Sequence, residues 1–199
     1  MGKSGRLKIK ETNFFRKTDY KWVFIITLFT FFASVLLTLL SDTVMPNAHI
    51  GIAIAILMIF ISTGIFFDII GLAIATASEA PFHSMASRKV GGAKQAIMLI
   101  RNAEKASNFC NDVVGDISGI ISGATSAAIV ARIIYVYGFN SVFLSLAFTG
   151  VVAALTVGGK AIGKGYAIKN ANSVTFHAAL IMYYFNKIRR KEELNGNNK

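Results

Sequence analysis

Cysteine occurs once, at Cys110, in a chain of 199 residues. A single thiol excludes an internal disulfide and any metal site built from several cysteines. Proline occurs only twice, and low-complexity tracts are missing, which argues against a long linker. Acidic residues number 10 against 21 Lys and Arg, and only 16% of all residues are charged. A soluble domain of this length needs more polar surface than that. No Ser–His–Asp set, no carboxylate pair suited to a soluble cleft and no dinucleotide fingerprint can be assembled, so the expectation is not an enzyme. Gly158, Gly159, Gly163 and Gly165 superficially resemble a phosphate loop, but no strand precedes them and no Ser or Thr follows the lysine. They read as sites of close helix packing and a loosened helix end.

What is there is apolar: 54% of the chain, gathered into long runs. The first, from Trp22 to Leu40, carries no charge and is long enough to cross a bilayer. Tyr20 and Trp22 stand at its start, where aromatic side chains favour the headgroup level. It reads as a retained anchor rather than a cleaved signal peptide. The second run, His49 to Ala77, exceeds the roughly 20 residues a crossing needs and is expected to tilt. Asp68 interrupts it, and Pro81 marks a break in the helix after it. Residues 82 to 111 are polar and basic, and Lys94 to Phe109 has the spacing of an amphipathic helix on a membrane surface. A third run, Asp112 to Val136, and a fourth, Ser141 to Val157, follow on either side of a short turn. A second amphipathic stretch spans Ala171 to Lys191. The fold expected is all-α and integral to the membrane, with about four transmembrane helices and amphipathic helices on the cytoplasmic face. Its divisions are a basic segment over 1–21, an added span and outer loop over 22–48, a main membrane domain over 49–191 and a polar tail over 192–199.

The formal charge of +11 invites a nucleic-acid reading, but its placement does not. With four spans, the N-terminal segment, the middle loop and the C-terminal tail share one side and hold every Lys and Arg except Arg132. The positive-inside rule then puts both termini in the cytoplasm of a multi-pass cell-membrane protein. Anionic lipid is the expected partner of this charge, and nucleic acid is not.

The third run organises the rest. At about 100° per residue, Asp112, Gly115, Asp116, Ser118, Gly119, Ser122, Gly123 and Ser126 share one arc. Val113, Val114, Ile117, Ile120, Ile121, Ala124, Ala127 and Ala128 share the other. Gly115, Gly119 and Gly123 repeat every four residues, the small-xxx-small spacing of packed membrane helices. The polar arc reads as the wall of a site inside a bundle.

Three motifs in order resemble the membrane domain of the CNNM/CorC (CorB) magnesium transporters. They are IATASEAPFHSMASRK, FCNDVVGDISGIISG and GGKAIGKGYAIKNANSV. The similarity covers roughly residues 50 to 185, without the CBS-pair module common in that family. It implies a homodimer holding Mg²⁺, with Na⁺ as a possible coupling ion, among helix-borne hydroxyls, amides and a carboxylate. Carried onto matching positions, the metal ligands are Thr76, Ser78 and Asp116, with Glu79 beside them. The family's third-motif glutamate is replaced here by Lys160 and its proline by Gly163. An ammonium at that point opposes a dication. The resemblance therefore implies either a divalent-cation transporter, or a non-transporting scaffold or regulatory subunit in which Lys160 neutralises the old site, working with a separate cytoplasmic partner.

For Asp116 two readings stand side by side, an oxygen ligand for a hard cation and an ion pair with Lys160 or Lys164. Asp68, expected nearer the bilayer middle than Arg132, is a coupling-ion or structural residue, with Arg132 as one possible partner. Asp112 reads as an acid complementing a helix N-terminus. His49, His83 and His177 have no second ligand at metal spacing, and Cys110 reads as a buried small side chain.

Overall fold

The computed structural model describes residues 20–44, 49–138 and 141–196. The basic segment before Tyr20, the loop residues Met45 to Ala48, the turn residues Phe139 and Asn140, and the last three positions lie outside them. The described residues are helical, as expected: α1 (Tyr20–Val44), α2 (Ile50–Thr76), α3 (Ala80–Ser87), α4 (Ala93–Arg101), α5 (Ala103–Asn108), a π turn (Phe109–Gly115), α6 (Asp116–Tyr137), α7 (Ser141–Lys169) and α8 (Ala171–Gly196). Four helical stretches are long and apolar enough to cross a membrane: Tyr20–Leu39, Ile50–Thr76, Ala103–Tyr137 and Val142–Lys169.

The central helix is α2, which touches α5, the π turn, α6, α7 and α8. Its residue order against its neighbours gives the directions. Gly64 faces Ser118 and Gly115 while Gly71 faces Asn111 and Cys110, so α2 and α6 are antiparallel. Ile65 sits on Gly159 and Ile69 on Gly163, so α2 and α7 run parallel. The Phe29–Phe109 ring contact and the Lys105 ammonium 5.3 Å above the Trp22 ring set α1 alongside α5 and the π turn, parallel to α6. One end of the bundle thus collects Trp22, Thr76, Ala103 and Lys169. The cationic residues of the helices, Arg132 apart, lie toward that end, matching the asymmetry of charge in the sequence.

Core packing follows the apolar stripes. Ala53, Leu57, Ile61 and Ile129 are buried together between α2 and α6. Val113, Ile117 and Ile121 are covered by Ile26, Ala33 and Leu37 of α1. Beyond the spans, Phe82 of α3, Ala96 of α4 and Ala179 of α8 form a separate small core, with Phe176 stacked on Phe82.

Four expectations are corrected. Lys94 to Phe109 is not one surface helix: the chain breaks at Asn102 (φ −106°, ψ 29°). The apolar face of α4 is spent on α3 and α8 rather than offered only to lipid. The segment after the break runs without interruption into the third span, because α5, the π turn and α6 form one helical stretch of 35 residues. Last, the glycines after Val157 do not loosen the helix end, since α7 continues to Lys169. The neighbours explain it, for Gly159 and Gly163 are where Ile65 and Ile69 of α2 press against α7. The cost of glycine in a helix, about 1 kcal/mol each, is offset by this close approach.

Candidate functional site: a polar seam on the central helix

Gly64, Asp68 and Gly71 are spaced by four and three residues and so lie on one face of α2. That face meets a line of small or polar groups. Ser118 fills the space above Gly64, the Asn111 side chain lies directly on Gly71, and Lys160 reaches the level of Gly115 between them. The two glycines are needed for the approach, because a Cβ at Gly71 would collide with the Asn111 carboxamide.

Asp68 is the centre of the seam. Its side chain is 10% exposed, and two ammonium groups from α7 close on it: Lys160 Nζ 4.0 Å from Oδ1 and Lys164 Nζ 3.9 Å from Oδ2. Lysines four residues apart project from one side of a helix, the side that Gly159 and Gly163 bring against α2. The distances are those of ion pairs rather than of short hydrogen bonds. Asp68 Oδ2 and Asn111 Oδ1 are both buried with no hydrogen-bond donor of their own. Leaving such an oxygen unserved costs about 1–3 kcal/mol, and the two nearby ammonium groups offset that cost for Asp68. Lys160 is 28% exposed and Lys164 55%, so the pair with Lys160 is the less screened of the two.

Ile50–Phe67 and Val142–Gly159 are parallel, charge-free stretches of 18 residues each, about 27 Å long at 1.5 Å per residue. Each approaches the hydrocarbon thickness by itself. Asp68 and Lys160 therefore stand at the same level, each immediately after its charge-free stretch.

The residues expected to hold a metal are not gathered there. Thr76 is exposed, and its hydroxyl donates back to the Leu72 carbonyl at 2.8 Å. The Ser78 backbone N–H is taken up by Asn172 Oδ1 of α8 at 2.9 Å, which caps the extended joint at Ala77. Glu79 accepts from Arg101 at 3.3 Å and contacts His83 Nε2 at 3.1 Å, bracing α3 against α4. The hydrogen bond with His83, with help from Arg101, holds the Glu79 carboxyl below its usual range against a smaller desolvation effect. Asp116 is exposed on the surface of α6. Its level on α2 lies near Gly64, the partner of Gly115 and Ser118, whereas Thr76 is about three turns further along. Among the described residues no three His, Cys, Asp or Glu side chains cluster at metal-binding distance. Lys160 and Lys164 turn to Asp68, not to Asp116.

The polar arc of the third run divides in the structure. Ser118, Ser122 and Ser126 are buried with Thr125, and Ser122 donates to the Ser118 carbonyl at 2.7 Å. Asp112, Asp116, Gly119 and Gly123 are exposed, and nothing lies within 4 Å of a Cβ placed on either glycine. Of the three spaced glycines only Gly115 packs inside the chain. The arc is wider than the buried face: at 100° per residue Gly115, Ser118, Ser122 and Ser126 occupy one half of it and Asp112, Asp116, Gly119 and Gly123 the other, and only the first half is buried.

Asn111 and Thr125 carry seam and interior polarity that sequence reasoning passed over. Asn111 stands one residue before the third run, which begins at Asp112. The signal for Thr125 was present, as a hydroxyl every three or four residues along an apolar helix. His177 bonds the Ser173 carbonyl through Nδ1 at 2.7 Å, and Cys110 is buried. No protein-family model, curated protein or solved structure matches the chain.

Proposed function

We propose that this chain is a CNNM/CorC-like membrane bundle that acts as a non-transporting scaffold or regulatory subunit, its interior acid neutralised by its own lysines. The single observation that carries the reading is the approach of Lys160 and Lys164 to Asp68 at 4.0 and 3.9 Å. One carboxylate facing two ammonium groups leaves the seam with excess positive charge. A dication entering it meets repulsion on the order of 8 kcal/mol per ammonium group at 4 Å for an effective dielectric of 20. The hydroxyls and carboxylates that the resemblance assigns to Mg²⁺ are engaged elsewhere or dispersed along the bundle. Both termini are assigned to the cytoplasm by the clustering of Lys and Arg at one end. The exposed Gly119 and Gly123 ridge, open to another backbone, suits a homodimer.

A second reading, Mg²⁺ transport, is favoured by one feature. Asp68 Oδ2 of α2 and Asn111 Oδ1, which lies over Gly71 one turn further along α2, are buried oxygens without donors, and hard cations take such ligands. Mg²⁺ flux from loaded proteoliposomes, with and without a Na⁺ gradient, separates the two. The scaffold reading expects flux equal to that of empty vesicles. Flux above that level which disappears in Asp68→Asn establishes transport instead.

A further inference from the structure

A cleft of about 670 Å³ opens between the start of α1, the lower half of α2, α5 and α8. Its volume falls within the roughly 300–1,000 Å³ of sites that enclose a small ligand. Phe67, Ile70 and Ile74 form one wall, and Ile181 and Met182 form the opposite one. Phe66, Phe109 and Ile181 stay exposed along its edges at 55%, 38% and 66%, so the cleft communicates sideways with whatever surrounds the spans. Its mouth is different in kind. There the Lys105 ammonium sits over the Trp22 ring, Asn102 adds an exposed amide, and Lys21 is exposed next to Trp22.

An apolar slot open to the bilayer, with cationic groups only at its mouth, has the polarity of a single amphiphile. Its depth matches hydrocarbon, and its mouth matches a negative headgroup at the end of the bundle where the positive charge collects. A polar peptide would leave its backbone groups unserved on these walls. We propose that the cleft holds one acyl chain of an anionic membrane lipid, with the headgroup phosphate at Lys105 and Trp22. The inference rests on placement of the bundle in a membrane, and is independent of whether Asp68 serves transport.

Trp22 is the only tryptophan, so its fluorescence reports the mouth alone. The full chain is reconstituted in phosphatidylcholine vesicles containing a minor fraction of acyl-brominated lipid, either phosphatidylglycerol or phosphatidylcholine. Quenching is expected to favour the brominated phosphatidylglycerol by roughly fivefold in relative affinity, the effect of about one ammonium group at a membrane surface. Lys105→Gln should bring the ratio close to unity, and Ala178→Phe, which fills the cleft from α8, should do the same with Lys105 intact. Equal quenching by the two lipids in the unaltered protein overturns the proposal. So does a preference that survives both substitutions. Absence of quenching by either lipid also overturns it, and indicates that protein, such as a second copy of the chain, fills the cleft.

Discussion

Lys160 Nζ and Asp68 Oδ1 lie 4.0 Å apart across the contact of α7 with α2, beside Gly115 at the end of the π turn. Both residues follow charge-free stretches of equal length on parallel helices, so their meeting is fixed by the register in which Ile65 and Ile69 sit on Gly159 and Gly163. The charge pair and the glycine contact are one structural unit.

The glycine contact leads to a first prediction. Gly163→Leu places a side chain where Ile69 already lies and is expected to lower stability by about 1–3 kcal/mol, the usual cost of overpacking. Gly123→Leu, on a face with nothing within 4 Å, should leave the stability of the isolated chain nearly unchanged. Unfolding in detergent compares the two. Chemical crosslinking in vesicles then tests the dimer, which Gly123→Leu should weaken.

The Gly71–Asn111 contact makes a second. Gly71→Ala alone should destabilise the bundle, because the new methyl group meets the carboxamide. Asn111→Ala should restore most of the loss, since it removes the obstruction together with a buried oxygen that has no donor. If Gly71→Ala is harmful to the same extent in both backgrounds, the contact has been assigned wrongly.

How much of this was legible in the residues differs by element. Run length and charge placement were enough for four spanning helices with one cationic end, because hydrocarbon thickness and the positive-inside bias act on composition alone. Gly159 and Gly163 were readable as packing sites. The partners of the lysines were not. Asp116 and Asp68 are both acids near apolar runs, and only which side of each helix meets its neighbours decides that Asp116 is exposed while Asp68 faces α7. The polar arc of Asp112 to Ser126 spans about 160° at 100° per residue, and its residues alone do not say which half of it is buried. Asn111 was missed because it stands one residue before that run.

A third prediction concerns pH. The folded state holds the Glu79 carboxyl below its ordinary value of 4.5, chiefly through its hydrogen bond with His83. A lowered folded value means the contribution is fully present above the ordinary carboxylate range and is lost as pH falls through the folded value. Backbone hydrogen exchange, corrected for intrinsic rates, should accelerate in α3 and α4 on acidification below about 4.5, with α6 unaffected. Glu79→Gln should show the loosened α3 and α4 at neutral pH and little further change on acidification.

The central claim is that Asp68 is neutralised by Lys160 and Lys164, and an unfolding cycle in reconstituted protein tests it most directly. Four proteins are compared: the unaltered chain, Asp68→Asn, Lys160→Met with Lys164→Met, and all three changes together. Removing both lysines is expected to cost about 1–3 kcal/mol by leaving a buried carboxylate without compensation. Adding Asp68→Asn should recover most of that loss, giving a coupling energy of about 1–2 kcal/mol. Effects that simply add, to within about 0.5 kcal/mol, would contradict the pairing and with it the reading of a bundle neutralised from within.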